Sequence, residues 1–477
     1  MTMRSLPFLL QFVLVAGLFL VVFGAGKATG GLLQVTHVNT YSDICSSCET
    51  MYVVHNYMYI PGGSDSDGAL TLTIVDISNI TTPEVIGKLS SSESGISGAR
   101  TIKVVGDYAY LDNYDDSGFS IVNISNPTNL SVVGSYESVL DVSGGRGIDV
   151  SGDYVCFTSR DGYLSLIDVS DPTNPEAIME RYIGGFPWNV VIYGDYAYVA
   201  DRTGPIKVYD ILDELEYVSE YSLGLEYVSE YSLGGVWDVD IIDWPYVFVT
   251  TNDYVNGSGY AIVDISDPYN LKSVSRNSVD QEVQMASIGN KHVSNHQFAF
   301  LSSPNEGSII VIDISDPTKA SIVTTQYENT IEVFSYSAYP YGLSVVSDDN
   351  EYQTSYVYYG KVGLLHVLTL KLDRDRDGVA DVDDPFPSDP DELADTDGDG
   401  VGDNGDDFPY DLAASVDSDG DGRPDEWNTG KSQVNSTTGL YLDPFPYDPD
   451  EWADTDGDGV GDNGDDFPYD LAASVDS

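Results

Sequence analysis

Residues 152–176, GDYVCFTSRDGYLSLIDVSDPTNPE, contain two short strands and the turns that bound them. The run 154–158 is aromatic and β-branched, and 164–170 is a second short apolar stretch broken by Ser165 and Asp168, which favours strands over helices. In the closing DPTNPE, proline fixes φ while Asp and Asn side chains bond nearby amides. Moving outward, the aromatic strand recurs at 57–60, 108–111, 196–199, 246–249, 298–301 and 356–359. Its partner recurs as LTIVDIS at Leu72, FSIVNIS at Phe119, IKVYDI at Ile206, YAIVDIS at Tyr260, IIVIDIS at Ile309 and a diverged LLHVLTL at Leu364. A period of about 45 residues with four short strands per unit is the pattern of a propeller.

The expected fold is therefore all-β, a seven-bladed β-propeller over residues 32–371. The seventh unit ends near Leu370 without an outer strand, and an unassigned strand, LLQVTHV, lies at 32–38. Pairing the two closes the ring and removes its exposed edge. The VDIS phrases resemble the LVIVD repeat family of secreted and surface propellers. That resemblance implies the fold and brings no general activity with it. Tyr209 and Asp210 in the fourth unit, and His366 in the seventh, depart from the phrase. A ten-residue duplication, LEYVSEYSLG at 215–224 and again at 225–234, falls where the outer strand of the fourth unit belongs. A strand with a bulged or extended loop is expected there, with a long hairpin as the alternative.

Residues 1–28 hold Arg4 followed by an uncharged apolar run from Leu6 to Ala25, a signal peptide or an uncleaved N-terminal anchor. Either places the remainder outside the cell or on its surface. Cys45 and Cys48 are expected to form a local disulfide, and Cys156 a small core position. With 78 acids against 20 bases, the formal charge of −58 disfavours nucleic acid and anionic membrane and attracts divalent cations.

From residue 372 to 477 the composition changes to an irregular Asp-rich tail. One spacing occurs four times: Asp373, Asp375, Asp377, Gly378, Asp381 and Asp384; Asp395, Asp397, Asp399, Gly400, Asp403 and Asp406; Asp417, Asp419, Asp421, Gly422 and Asp425, with Asn428 last; and Asp454, Asp456, Asp458, Gly459, Asp462 and Asp465. Calcium takes six to eight oxygens, and carboxylates at loop positions 1, 3 and 5 surround one ion when glycine turns the chain at position 6. The carbonyl of position 7 (Val379, Val401, Arg423, Val460) and acids at positions 9 and 12 would complete the shell. The third loop, GRPDEW after its glycine, fits least, and its last ligand is open. The phrase DTDGDGVGDNGDDFP at Asp395 and Asp454 resembles thrombospondin type 3 repeats, which implies a calcium-wrapped chain with little apolar core. The chain stops at Asp476 and Ser477, counterparts of Asp417 and Ser418, so further repeats or a C-terminal anchor are expected beyond.

No nucleophile elbow, zinc-protease helix or phosphate loop is present in the sequence. Asp76, Asp168, Asp264 and Asp313 recur in every well-kept phrase, which suits turn capping rather than catalysis. Aligning the inner strands on the aromatic ones places Glu49, Arg100, Arg146, Trp188 and Trp237 at equivalent points, with Met285 and Tyr341 less securely matched. Arg100, Arg146, Trp188 and Trp237 are candidates to hold an acidic glycan or peptide, against packing and channel filling. Two function classes follow. One is a non-enzymatic, calcium-binding adhesion or interaction protein of the cell surface, with surface glycans or proteins as partners and membrane contact only through an anchor. The other is an exported propeller enzyme acting on glycans. Sequons at Asn79, Asn123, Asn129, Asn256 and Asn435 permit glycosylation.

Overall fold

The computed structural model describes residues 33–42, 44, 50–64, 70–79, 82–90, 98–113, 118–138, 140, 144–212, 216–221, 235–253, 257–279, 285–288, 297–303, 308–324, 343–347, 354–361, 364–473 and 475. The apolar segment 1–28, Glu49, Tyr341, Cys45, Cys48, Asn256 and the second copy of the duplication lie outside these residues. The first copy supplies the strand Glu216–Tyr221.

Short strands that alternate in burial pair with their sequence neighbours, because two-residue turns such as Gly194–Asp195 leave no room for a crossover. The result is an all-β propeller. Among the described residues the strands form seven four-stranded sheets, and no α-helix is present. Six sheets run consecutively through residues 52–90, 102–137, 145–182, 187–221, 235–279 and 285–324. The remaining sheet takes Leu343–Ser347, Thr354–Lys361 and Leu364–Leu372 and adds Leu33–Ser42 at its edge. Leu33 lies opposite Leu372 and Ser42 opposite Leu364, antiparallel, with an irregularity between His37 and Asn39.

The core lies between sheets. Tyr59, Leu72 and Ile74 of the first sheet pack with Ile102, Leu111 and Val122 of the second. Phe119 and Tyr110 pack with Ile148 and Phe157, Cys156 and Leu166 with Val190 and Val199, and Val208 with Val239 and Val249. Phe248 and Ile262 meet Leu301 and Ile312, while Met58 and Ile60 meet Leu365 and Val367 of the composite sheet. Each such residue is worth about 1.5–3 kcal/mol when fully buried. Cys156 is a buried free thiol, as a small core residue should be.

The recurring aspartates cap turns. Asp76, Asp168, Asp264 and Asp313 each accept the N–H of the residue two positions on, Ser78, Ser170, Ser266 and Ser315, at 2.8–2.9 Å. Asn123 and Asp210 do the same for Ser125 and Leu212, which explains why the phrase tolerates either residue. Polar ties cross between sheets as well: Asp149 joins Lys103 at 2.7 Å and accepts the N–H of Ile192 at 2.7 Å. Gly147 lets the next sheet approach, since a Cβ there would stand 2.7 Å from Asn189 Cα.

Candidate metal centres and an arginine–tryptophan cluster

Beyond Leu372 the described chain has no strand, and each Asp-rich loop is organised by its own carboxylates. Asp395 accepts the N–H of Gly398 at 2.7 Å and of Gly400 at 3.1 Å, and Asp417 and Asp454 repeat both bonds. The glycine at position 6 has φ of 92–98° in all four loops, a region that side chains avoid. Position 4 is also left-handed; it is glycine in three loops and Arg376, at φ 70°, in the first.

Folding this way gathers acids. Oxygens from Asp373, Asp375 and Asp377 lie within 4.8 Å of one another, as do those of Asp395, Asp397 and Asp399, of Asp417, Asp419 and Asp421, and of Asp454, Asp456 and Asp458. Position 12 feels their charge: Asp384 is repelled by Asp377 and Asp375, and Asp406 by Asp399 and Asp397. Asp384, Asp406 and Asp465 each spend Oδ1 on the N–H of Phe386, Phe408 or Phe467 at 2.6–2.8 Å. Their Oδ2 atoms are buried without a hydrogen-bond partner, as are Oδ2 of Asp375, Asp397, Asp419 and Asp456 at position 3.

Like charges without donors shift titration in a consistent direction. Burial, then repulsion from Asp399, Asp397 and Asp407, pushes Asp406 up to about 6 against the Phe408 N–H that lowers it. Asp384, Asp397 and Asp456 are raised for the same reasons, burial first. Gathering such carboxylates without a counter-charge disfavours their ionised forms. A hard divalent cation supplies that counter-charge, and an all-oxygen, carboxylate-rich set suits calcium.

The structure adds two details to the loops. Position 9 is braced much as position 1 is: both oxygens of Asp403, Asp425 and Asp462 accept the N–H and hydroxyl of Thr396, Ser418 and Thr455 at 2.5–2.9 Å, which leaves further lone pairs on each carboxylate. Asp381 accepts the N–H of Arg374 at 2.7 Å and pairs with its guanidinium at 3.0 Å. These four acids tie position 9 to position 2. The third loop, in turn, closes on Asp443 rather than on Asn428. Asp443 accepts the N–H of Phe445 at 2.8 Å, its Oδ2 is buried without a partner, and burial, then Asp421 and Asp419, raises it. The motif Asp-x-Phe-Pro, at 384–387, 406–409, 443–446 and 465–468, is the sequence signal that identifies this position in every loop.

In the propeller, the ring candidates meet at one end of the inner strands. The register slips between Gly145 and Ile148, Pro187 and Asn189, and Val236 and Asp238, so that Arg146, Trp188 and Trp237 sit in β-bulges, which re-aim side chains. Arg146 lies over the Trp188 ring at 4.2 Å, and the two indoles are 5.6 Å apart. Arg202 covers Trp237 at 3.7 Å and Trp188 at 4.8 Å, and Phe186 stacks on Trp188 at 5.8 Å. Arg160 stands 5.4 Å from Phe186. Trp237 is 3% exposed, with its indole N–H buried and unpartnered. Arg100 occupies the equivalent point of the second sheet, where its N–H donates to Asp112 at 2.6 Å. For Met285 only the backbone strand Met285–Ile288 is described. Arg160, Phe186 and Arg202 come from turns that vary among repeats, so internal alignment could not find them. At the opposite end of the same strands, Trp244 stacks on Tyr193 at 5.1 Å beside a shallow cleft of about 390 Å³.

The LVIVD repeat model matches residues 49–90, 97–138, 145–182, 184–218, 246–276 and 301–326, one match in each of the six consecutive sheets. The chain is thus an all-β propeller carrying LVIVD repeats. No curated protein matches it. Similar solved structures include the N-terminal domain of Nup159 (10% identity, 73% of this chain and 98% of that one, TM-score 0.47). A Lactobacillus plantarum protein (12%, 58% and 83%, 0.48) and a putative 6-phosphogluconolactonase from Bacteroides uniformis (13%, 64% and 94%, 0.48) are also similar.

Proposed function

We propose that this is an exported, calcium-binding surface protein in which a propeller serves as recognition head and a calcium-ordered tail as stalk. The observation that carries the reading is the recurrence, in all four loops, of buried carboxylate oxygens without donors at position 3 and at the closing aspartate, Asp384, Asp406, Asp443 or Asp465. Asp at positions 1, 3, 5 and 9 and the closing Asp384, Asp406, Asp443 or Asp465 would hold each ion, with thrombospondin type 3-like winding of the chain. On this reading the seven sheets are seven blades, six with the family repeat and a composite one closed by Leu33–Ser42. The apolar segment 1–28 exports or anchors the chain. The Arg146, Arg202, Trp188 and Trp237 cluster gathers cations and rings on a protein of net charge −58, which fits an acidic glycan or peptide better than a neutral one. Calorimetric titration of the full chain with calcium tests the metal reading: saturable binding of several ions is expected, and absence of heat or saturation at millimolar calcium would remove it. A screen of acidic glycans with calcium and with chelator tests the head, and binding that survives Arg146→Ala and Trp188→Ala would place the contact elsewhere.

A further inference from the structure

The third loop departs from the others in a way that links it to the second. Asn428 stands where a closing carboxylate is due, but its Nδ2 donates to Asp399 Oδ2 of the second loop at 2.5 Å. Ser415 Oγ lies 2.6 Å from the same Asp399 oxygen and 2.8 Å from Asn428 Oδ1. The Asn428 N–H donates to Ala413 at 2.8 Å, and Ala413, Ala414 and Ser415 are buried beneath it. Asn428 therefore fixes a carboxylate of a loop that closed some twenty residues earlier in the chain.

The vacated role passes to Asp443, on the far side of the strap 429–442. That strap is fastened at its middle. Asp411, 1% exposed, accepts the hydroxyls of Ser436 and Thr438 at 2.5 Å and the N–H of Thr438 at 2.9 Å. Although burial pushes Asp411 up, these donors hold it down at about 2. The Asp443 N–H donates to Pro424 at 3.0 Å, and Asp407, beside the second loop's closing Asp406, accepts the N–H of Asp417 at 2.8 Å.

Resting on the reading of these loops as calcium sites, we propose that the second and third loops form one two-ion unit, with Asp443 a ligand of the third ion and Asn428 the positioning residue of Asp399 in the second. An ion in the third loop draws Asp443 in, orders the strap and holds Asn428 against Asp399. Filling one site then raises the affinity of the other, a coupling that must run both ways. The fourth loop repeats residues 395–418 letter for letter at 454–477 and serves as the internal reference for the second.

The test is amide hydrogen exchange by mass spectrometry on the full chain, titrated with calcium alone and read separately in peptides covering each loop. In the unmodified chain the second and third loops should gain protection together, at lower calcium than the fourth. Asn428→Ala should shift the second loop's midpoint upward by about tenfold, the size of effect typical of groups that orient a ligand, and leave the fourth unchanged. Asp443→Asn should abolish calcium protection in the third loop and weaken the second. Equal midpoints for the second and fourth loops in every variant, or an unaltered third loop in Asp443→Asn, would overturn the proposal while leaving four calcium sites standing. Absence of calcium protection anywhere in the unmodified chain would instead overturn the calcium reading and this proposal with it.

Discussion

The propeller and the tail invert one another. Up to Leu372 the buried side chains are chiefly Ile, Val, Leu, Phe and Tyr, whereas beyond it, among the described residues, the buried apolar ones are Ala380, Ala413, Ala414 and Pro424. The tail's buried side chains are otherwise Asp373, Asp381, Asp384, Asp406, Asp411, Ser415, Asp443 and Asp465, while Tyr410, Tyr447, Trp452 and Tyr469 lie exposed. One region folds by removing apolar surface from water, and the other gathers carboxylates into clusters that could hold a cation. The difference teaches that order here has two independent sources, so each should be removable without the other.

The largest expected effect is in the propeller core. Phe119 is fully buried against Tyr110, Tyr136 and Phe157. Phe119→Ala should lower propeller stability by about 3–5 kcal/mol, read by urea unfolding, with the tail's calcium titration unmoved. Gly147→Ala should cost about 1–3 kcal/mol, since the new Cβ meets the Asn189 and Val190 backbone rather than a yielding side chain. If both variants also abolished calcium binding, the two regions would be one cooperative unit.

On the other side of the comparison, Asp375→Asn should weaken the first loop's ion by about tenfold or more, roughly 1.4 kcal/mol, and leave the propeller's unfolding midpoint in place. Acid should act on the tail too. Asp406 sits at about 6, above its ordinary value. Without calcium, Asp406 therefore contributes stability in acid that is lost as pH rises through about 6. With calcium the order reverses, because the ion requires the deprotonated form. Calcium affinity at that loop should fall about tenfold per pH unit below 6, measured by titration between neutral and acid pH. The smallest effect is Arg376→Gly, which relieves a left-handed residue in the first loop and should change its calcium-free stability by about 1 kcal/mol or less.

Much of this inversion was legible in the sequence because both halves repeat. The aromatic strand and its VDIS partner announce the sheets, since alternation and turn chemistry are local properties, and Leu33–Ser42 is exposed as a closing strand by being left over. The four Asp triplets and their glycines are local as well. What the sequence concealed depends on side-chain competition. Position 9 reads as a ligand from its spacing, and the bonds it accepts from Thr396, Ser418 and Thr455 at position 2 are not legible there. Asn428 reads as a weak ligand because spacing was counted along the chain, whereas Asp443 reaches the loop across an inserted strap. The Phe and Pro after each closing Asp would have pointed to Asp443. Arg202 and Phe186 escaped notice because they belong to turns that the repeat leaves free.

Limited proteolysis of the full chain with chymotrypsin, in calcium and in chelator, tests the division most directly. The tail presents exposed aromatic residues at Tyr410, Tyr447, Trp452 and Tyr469. The account predicts slow cleavage at these residues in calcium, and rapid cleavage in chelator that stops at a resistant propeller ending near Leu372. Equal cleavage of the tail in both conditions, or digestion of the propeller along with it in chelator, would contradict the claim that calcium orders the tail alone.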